Sequence, residues 1–575
     1  MGRGHDRKNI LLISLDDMID VVRYRTAFGV EISTPAIDAL VERGVLFANA
    51  FTASPICNSA RTAALTGRSP FATGVHHNDG AWINHVVPVE ETLIGRAHAA
   101  GWHTAARGKL FHGRNFSAEV RAYLEPALDE ADWTWGHQSA GPSFPGPLGG
   151  SSLPDDAHYD VISARWAARF LQDPPEETPF LLSVGLTKPH FSWDVPRRFF
   201  DRYDRDRIEV PDLDDLGWLD LPRHFRNLLQ TGGDWAQRRI EAMGAETWRD
   251  AVHAYLAAVS FADAQVGEVI GALDRAGGWD DTTVLLWSDH GHHLGDRDVW
   301  HKFTLWEEAA SVPLVVVDPD LGRPGARVET PASILDIWPT LASLTGLPPP
   351  AAADGLDLAP LMADPEAGLP REGVVTSAYA SRALRTDAFR YNLYTSGEEE
   401  LFEVGGGEVF GRDVSGRPGF DGVLAEMRAR LVREAAALGV EVVAAGEDRV
   451  GGAGSETLVL VGDARGEGRG GDDTYHLTPE RRVAERGDGG ADRAVIATDV
   501  DWRLPRAVEA GALTSGSDGA LIGNALNNRR RATAGTTSSS AGAAATCWRA
   551  AAATTCCAAG AASTRRTARA APACA

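Results

Sequence analysis

Asn9-Ile10-Leu11-Leu12-Ile13-Ser14-Leu15-Asp16-Asp17 is a short apolar run that ends abruptly in two acids. A near-continuous apolar run of this length reads as a strand buried on both faces, the pattern of a parallel sheet covered by helices. The pattern recurs at Pro179-Phe-Leu-Leu-Ser-Val-Gly185 and at Thr283-Val-Leu-Leu-Trp-Ser288, with amphipathic stretches such as Ala254 to Ala276 between the runs. This alternation predicts an α/β domain with a mostly parallel sheet over residues 1–360. In open sheets of this kind, ligands bind beyond the carboxyl ends of the strands. The first run delivers Asp16 and Asp17 to that edge, and the third delivers Asp289-His290-Gly291. Three carboxylates and an imidazole there suit a hard divalent cation, Ca²⁺ or Mg²⁺, better than a structural zinc. Acidic pairs also commonly end strands or cap the helix that follows, and that reading stands beside the metal one.

Composition narrows the class. The chain has 575 residues, 44% hydrophobic and 23% charged, the proportions of a large globular enzyme. Its net charge of −23 argues against a nucleic-acid backbone as partner, because phosphate binding needs a basic surface. Of five cysteines, only Cys57 precedes residue 547, so no internal disulfide framework is expected in the body of the fold. Met1 to Lys8 is polar and the apolar run after it is too short for a signal core, so no N-terminal secretory address is expected. No stretch reads as long and apolar enough to span a membrane.

Cys57 opens the segment Cys57-Asn-Ser-Ala-Arg61-Thr-Ala-Ala-Leu65-Thr-Gly67-Arg68. It sits at the start of a helical pattern, where unpaired backbone N–H groups favour negative charge, with Arg61 one turn along the same face. The residues alone give an activated cysteine near a metal, against the plain alternative of a small buried hydrophobe.

Cys-x-x-x-Arg followed by Leu-Thr-Gly-Arg resembles the sulfatase signature of the alkaline-phosphatase superfamily. The Asp16-Asp17 and Ser288-Asp-His-Gly291 motifs lie where that family has them, and Gly108-Lys109-Leu-Phe-His112-Gly113, Lys188-Pro189-His190 and Trp300-His301-Lys302 follow in order. The resemblance spans about residues 8 to 440 and looks closest to the iduronate-2-sulfatase-like branch. It implies an alkaline-phosphatase-like α/β fold and oxidation of Cys57 to formylglycine by a formylglycine-generating enzyme. The hydrated aldehyde would attack sulfur through one hydroxyl and expel the sulfate when the second loses its proton, assisted by a divalent cation, Ca²⁺ or alternatively Mg²⁺ or Mn²⁺. Carried over by position, Asp16, Asp17, Asp289 and His290 would bind the metal together with residue 57. Arg61 and Lys109 would hold the diol, His112 would be the base for its second hydroxyl, and His190 and Lys302 would contact sulfate or protonate the leaving oxygen. Asn78 is a candidate substrate contact, whereas His292 and His293 are not taken as ligands.

One position departs from the family pattern. Ser59 stands where Pro or Ala is usual, and Pro there would bias the preceding residue toward the extended form that the maturation enzyme reads. The loop from Trp133 to Asp160, with Trp133, Trp135 and Phe144, is expected to wall a pocket suited to sugar or aryl sulfate esters. Two rival functions are a phosphonate monoester or phosphodiester hydrolase with the same nucleophile, and a catalytically silent calcium-binding surface protein with unconverted Cys57.

Residues 361–445 carry a strand at Phe389-Arg-Tyr-Asn-Leu-Tyr394 and a helix from Gly422 to Gly439, and read as a smaller α+β subdomain. Over 446–528, Gly451-Gly-Ala-Gly-Ser-Glu-Thr-Leu-Val459 and Gly468-Arg-Gly-Gly-Asp-Asp-Thr-Tyr-His476 resemble nine-residue RTX repeats, which bind additional Ca²⁺ between turns of a β-roll. That resemblance implies export by type I secretion machinery to the extracellular side, with a cytoplasmic location as the other outcome. A Gly-rich linker would explain the composition alone. Residues 529–575 keep a nine-residue beat at Thr537, Thr546, Thr555 and Thr564, and Ala553-Thr-Thr-Cys-Cys557 reads as GC-rich repeat codons one base out of frame. The tail is therefore expected to be frame-shifted repeats.

Overall fold

A computed structural model describes residues 7–76, 78, 87–112, 148–209, 245–296, 299–378, 381–404, 411 and 413–443, with separate short segments between 448 and 556. The opening run forms the strand Asn9–Asp16, inside a seven-stranded sheet. Across that sheet the order is Ala326–Val328, Val45–Phe47, Leu314–Val317, Thr282–Ser288, Asn9–Asp16, Phe180–Pro189 and His103–Gly108. Asn9–Asp16 pairs in parallel with both neighbours, Ile10 lying opposite Leu181 on one side and Thr283 on the other. Only Leu314–Val317 runs antiparallel to its neighbours, so the sheet is mixed and mostly parallel.

Strand alternation sends successive side chains into two cores. Leu11, Ile13, Leu182, Val184 and Leu286 pack under the helices Tyr159–Gln172 and Ala245–Arg275. Ile10, Leu12, Leu181, Leu285 and Trp287 pack on the opposite face, against Ala60, Ala63 and Ala64 of the helix Cys57–Thr66 and against Trp338 and Leu341. Each fully buried aliphatic side chain contributes about 1.5–3 kcal/mol, and the central strand is stabilised from both sides.

The membrane expectation needs one correction. Glu246–Arg275 is long and apolar enough to cross a bilayer, but 78% of its apolar window is buried inside the protein. Its residues Val252, Tyr255, Val259 and Val266 are packed in the core, so this helix is apolar on most sides because protein surrounds it.

Val374–Ala378, Ser381–Arg385, Phe389–Leu393 and Glu399–Glu403 form an antiparallel four-stranded sheet, backed by the helix Asp421–Ala437. Glu307 ties this sheet to the larger one. Its carboxylate accepts from Arg23 at 2.9 Å, Arg385 at 3.1 Å and Arg390 at 3.0 Å.

Beyond this sheet the backbone coils. The strands Glu441–Val443, Thr457–Leu460, Thr474–Leu477, Arg493–Ile496, Ala510–Leu513 and Arg529–Arg531 form one parallel sheet. The strands Asp448–Val450, Arg465–Glu467 and Arg482–Val483 form a second, also parallel. As far as Val483 chain order alternates between the two sheets, and paired residues lie 17 or 19 positions apart, as with Thr457 and Thr474 or Thr474 and Arg493. Trp133, Trp135 and Phe144 of the expected pocket wall lie outside the described residues, as do most of the repeat glycines and, apart from short strands, the tail.

Candidate active site

The site gathers at the carboxyl ends of Asn9–Asp16 and Thr282–Ser288, where parallel-sheet physics places it. Asp16 is the last strand residue. Asp17 turns out of the strand with φ 62°, a left-handed conformation that Asp tolerates better than most residues. Its amide donates to Asp289 Oδ1 at 3.1 Å, and Tyr255 Oη donates to its carbonyl at 2.7 Å. The two strand ends are thus locked together by the groups they present.

Cys57 is the first residue of its helix and is 1% exposed. Its Sγ lies 3.1 Å from Lys302 Nζ and 3.3 Å from His290 Nε2, and His112 hydrogen-bonds to it. Burial would raise the thiol, but Lys302, Lys109 and His290 hold it well below its ordinary value. Lys302 Nζ also donates to Asp17 at 2.5 Å, while Lys109 pairs with Asp16. Against the desolvation that would raise them, Lys109 and then His190 hold Asp16 down to about 2, and Lys302 depresses Asp17 further. Burial pushes Asp289 the other way, to about 6, despite Arg61. His290 rises to about 9 in spite of burial, chiefly through Asp289, and its Nδ1 donates to Gly291 O at 2.9 Å. That hydrogen bond turns Nε2 toward Cys57.

Ligand atoms of Asp16, Cys57, Asp289 and His290 lie within 4.8 Å of one another, all buried. Asp16 Oδ1 and Asp17 Oδ2 have no hydrogen-bond partner among the described residues, although both are shut off from solvent. Buried carboxylate oxygens left without donors fit a cation that would satisfy them, and the oxygen-rich set suits a hard one.

Arg61 is placed differently from the expectation that it holds the nucleophile. Its Nε donates to Asp289 Oδ2 at 2.9 Å and its Nη2 to Leu15 O at 2.9 Å, while Nη1 reaches Lys109 O. Its guanidinium thus holds Asp289, lies 3.6 Å from Asp16 Oδ1 and takes up the carbonyls of Leu15, Lys109 and Leu110. His190 lies with Asp17 and Cys57 in a second group of ligand atoms, its Nδ1 turned to Phe191 O at 2.7 Å. His112 Nδ1 is buried without a partner. Asn78 Oδ1 accepts from the Asn58 amide at 3.0 Å, which makes it a clamp on the first turn of the Cys57 helix.

His292 and His293 stay out of the cluster. His293 is held between Asp296 and Thr304 Oγ1, the latter at 2.7 Å, and His292 packs against Tyr255 and His301. Tyr255, which anchors Asp17, carries no signal of its role in the sequence: it sits in an apolar helical run and reads as core.

The family profile described as Sulfatase matches residues 8–347. The chain belongs to the sulfatase family. Among curated relatives, a sulfatase of Formosa agariphila is 28% identical over 429 residues, covering 69% of this chain and 81% of its own. The iduronate 2-sulfatase of Mus musculus is 27% identical over 411 residues, covering 60% of this chain and 70% of its own. Among solved structures, the phosphonate monoester hydrolase of Agrobacterium radiobacter superimposes with a TM-score of 0.61 at 20% identity, over 75% of this chain and 96% of that one. That likeness establishes the alkaline-phosphatase-like fold. This sulfatase is a sulfuric ester hydrolase, and its buried Cys57 lies among groups able to hold a cation.

Proposed function

We propose that residue 57 matures to formylglycine and cleaves sulfate esters of saccharides, with a divalent cation held by Asp16, Asp17, Asp289 and His290. The observation that carries this reading is the placement of Cys57 Sγ between Lys302 at 3.1 Å and His290 at 3.3 Å, beside carboxylate oxygens without a hydrogen-bond donor among the described residues. Sγ marks where the oxygens of the matured residue would stand. Formylglycine supplies a geminal diol, and a bound cation supplies charge stabilisation at the sulfate oxygens. The chain's own residues do the rest. Lys302 and Lys109 set positive charge against the developing oxyanion. His112, lowered by burial, is neutral at neutral pH and is placed to take a proton from residue 57. With Nδ1 on a carbonyl, His190 offers Nε2 to sulfate or to the leaving oxygen. Arg61 keeps Asp289 in place.

Cys57 and Ser59 are each 1% exposed, and Ser59 Oγ is tied to Val75 O. Maturation therefore belongs before folding is complete, and Ser59 acts on that step in the extended chain. The saccharide reading draws on relatives such as the ulvan-active sulfatase of Formosa agariphila and the iduronate 2-sulfatases. The test is the mass of the residue-57 peptide from a host with the maturation enzyme, together with turnover of aryl sulfate against aryl phosphonate. Aldehyde and faster sulfate turnover support the reading. A thiol alone supports the silent alternative, and faster phosphonate turnover supports the phosphonate hydrolase.

We also read the chain as a catalytic part to about residue 360, a subdomain to 445 and RTX-like calcium-binding repeats to 528, exported by a type I route. The coil's spacing of 17 or 19 residues supports this, being close to two nine-residue turns. A calcium-dependent rise in unfolding temperature, confined to chains that retain residues 446–528, is the expected outcome.

A further inference from the structure

Where the coil meets the catalytic part, two arginines and two histidines gather near Phe71. Arg382 places its guanidinium carbon 4.6 Å from the Phe71 ring centroid. His76 lies 5.6 Å and His476 5.8 Å from the same ring, and the two imidazoles are 4.7 Å apart, edge to face. Arg493, opposite Thr474 in the coil's register, reaches to within 3.5 Å of where a Cβ on Gly74 would stand. Strand alternation puts Arg382 on the face of its strand shared with Leu384, which packs with Phe71 and Val459 of the coil. Ala383 faces the other way, toward Ile56 beside Cys57. The cluster is therefore distinct from the catalytic one.

Arg382 is 1% exposed, and its Nε and Nη2 have no hydrogen-bond partner among the described residues. His476, equally buried, leaves Nδ1 without one. Burial alone depresses the guanidinium, to about 9, and no acid offsets it. It still carries its charge at neutral pH. Phe71 lies against the guanidinium, and the two unpaired donors, Nε and Nη2, share one edge of it. That edge presents two parallel N–H donors, the fork that matches two oxygens of an oxyanion. Unsatisfied buried donors in a native fold are rare enough to require a partner.

We propose that Arg382, His476 and Arg493 form a binding site for a small tetrahedral oxyanion, of the sulfate or phosphate class, at the seam between the catalytic part and the coil. The anion would take both unpaired donors of Arg382 and the Nδ1–H of His476. Binding there fastens the coil to the segment Phe71–His76 that follows the Cys57 helix.

The test uses the full chain. Crystals soaked in selenate are examined for anomalous signal, and unfolding temperatures are measured in sulfate, phosphate and chloride at equal ionic strength, for wild type, Arg382→Gln and Arg382→Lys. Anion bound at the catalytic site contributes equally to all three proteins, so their difference reports the seam. The expected result is a selenate peak beside Arg382 and His476, with a saturable temperature rise that Arg382→Gln abolishes. Arg382→Lys should retain the rise with affinity weakened about tenfold, and turnover of aryl sulfate should stay within about twofold in both variants. The ratio of the sulfate and phosphate midpoints names the preferred anion. An unaltered rise in Arg382→Gln, or wild-type crystals with no peak at the seam, overturns the proposal. A peak without a saturable rise in solution means an adventitious ion only, and overturns it as well.

Discussion

Replacing Lys302 by Met should remove a charge that serves two partners at once. Nζ stands 3.1 Å from Cys57 Sγ and 2.5 Å from Asp17 Oδ1, and both side chains of the ion pair are 1% exposed. At 3.1 Å, two unit charges interact by about 5 kcal/mol at an effective dielectric near 20. The transition state develops only part of a unit charge, so about 2.7–4 kcal/mol is the share expected from one buried donor, or about 10²–10³ in turnover. Asp17 would in addition lose its buried partner, which costs about 3–5 kcal/mol of stability when nothing replaces it. Added divalent cation should recover part of the stability, because it would meet the same carboxylate, and should leave turnover low. The assay is steady-state hydrolysis of an aryl sulfate at matched aldehyde content, checked by the mass of the residue-57 peptide, alongside urea unfolding with and without cation. Turnover within about threefold of wild type at matched aldehyde content would refute the role given to Lys302.

Asp289→Asn should weaken cation binding by at least about tenfold in isothermal titration, since it removes a charged ligand that Arg61 holds in place; unchanged affinity would place the cation elsewhere. His112→Gln should lower kcat by about 10²–10⁴, and because burial lowers His112, the acid limb of the wild-type profile should fall below the ordinary histidine range. A wild-type limb above that range would contradict it. Arg385, Arg23 and Arg390 together outweigh burial and hold Glu307 at about 2, against an ordinary value of 4.5. Its contribution of about 3 kcal/mol is therefore complete above about pH 4.5 and lost as pH falls toward 2. Glu307→Gln should flatten that part of the stability profile in urea unfolding, and an unchanged slope would show that Glu307 carries none of it.

Much of the site was legible because its residues follow strands whose apolar runs have no other reading. Asp16, Asp17, Asp289 and His290 all stand at the ends of such runs, and Cys57 opens a helical pattern that the structure shows as Cys57–Thr66. Roles set by long-range partners were not legible. Arg61 lies one helical turn from Cys57, yet its guanidinium is taken up by Asp289 and three carbonyls, partners far away in sequence. The amphipathic stretch from Ala254 is buried on most of its circumference, because the helices Pro35–Arg43 and Tyr159–Gln172 and the strand Phe180–Pro189 enclose it. Nothing in the residues around Arg382 signals its burial, which the packing of Leu384 against Phe71 and Val459 of the coil brings about.

Asp17 invites a last consequence. Consecutive residues of a regular strand point to opposite sides, so adjacent acids would ordinarily serve different layers. The left-handed turn at Asp17, fastened by the Asp289 carboxylate and the Tyr255 hydroxyl, brings both acids beside Cys57, each in its own group of ligand atoms. Under the proposed function, two carboxylates one peptide bond apart would act as a chelating claw whose closure entropy is spent when the protein folds. A cation arriving later would find that ordering already complete, and discrimination between ions would rest on the width of the claw rather than on its flexibility. Only Gly and Asn share with Asp an easy access to this turn, and neither brings a second charge. The doublet thus leaves little room for drift at position 17, whatever sugar or aryl group this sulfatase receives.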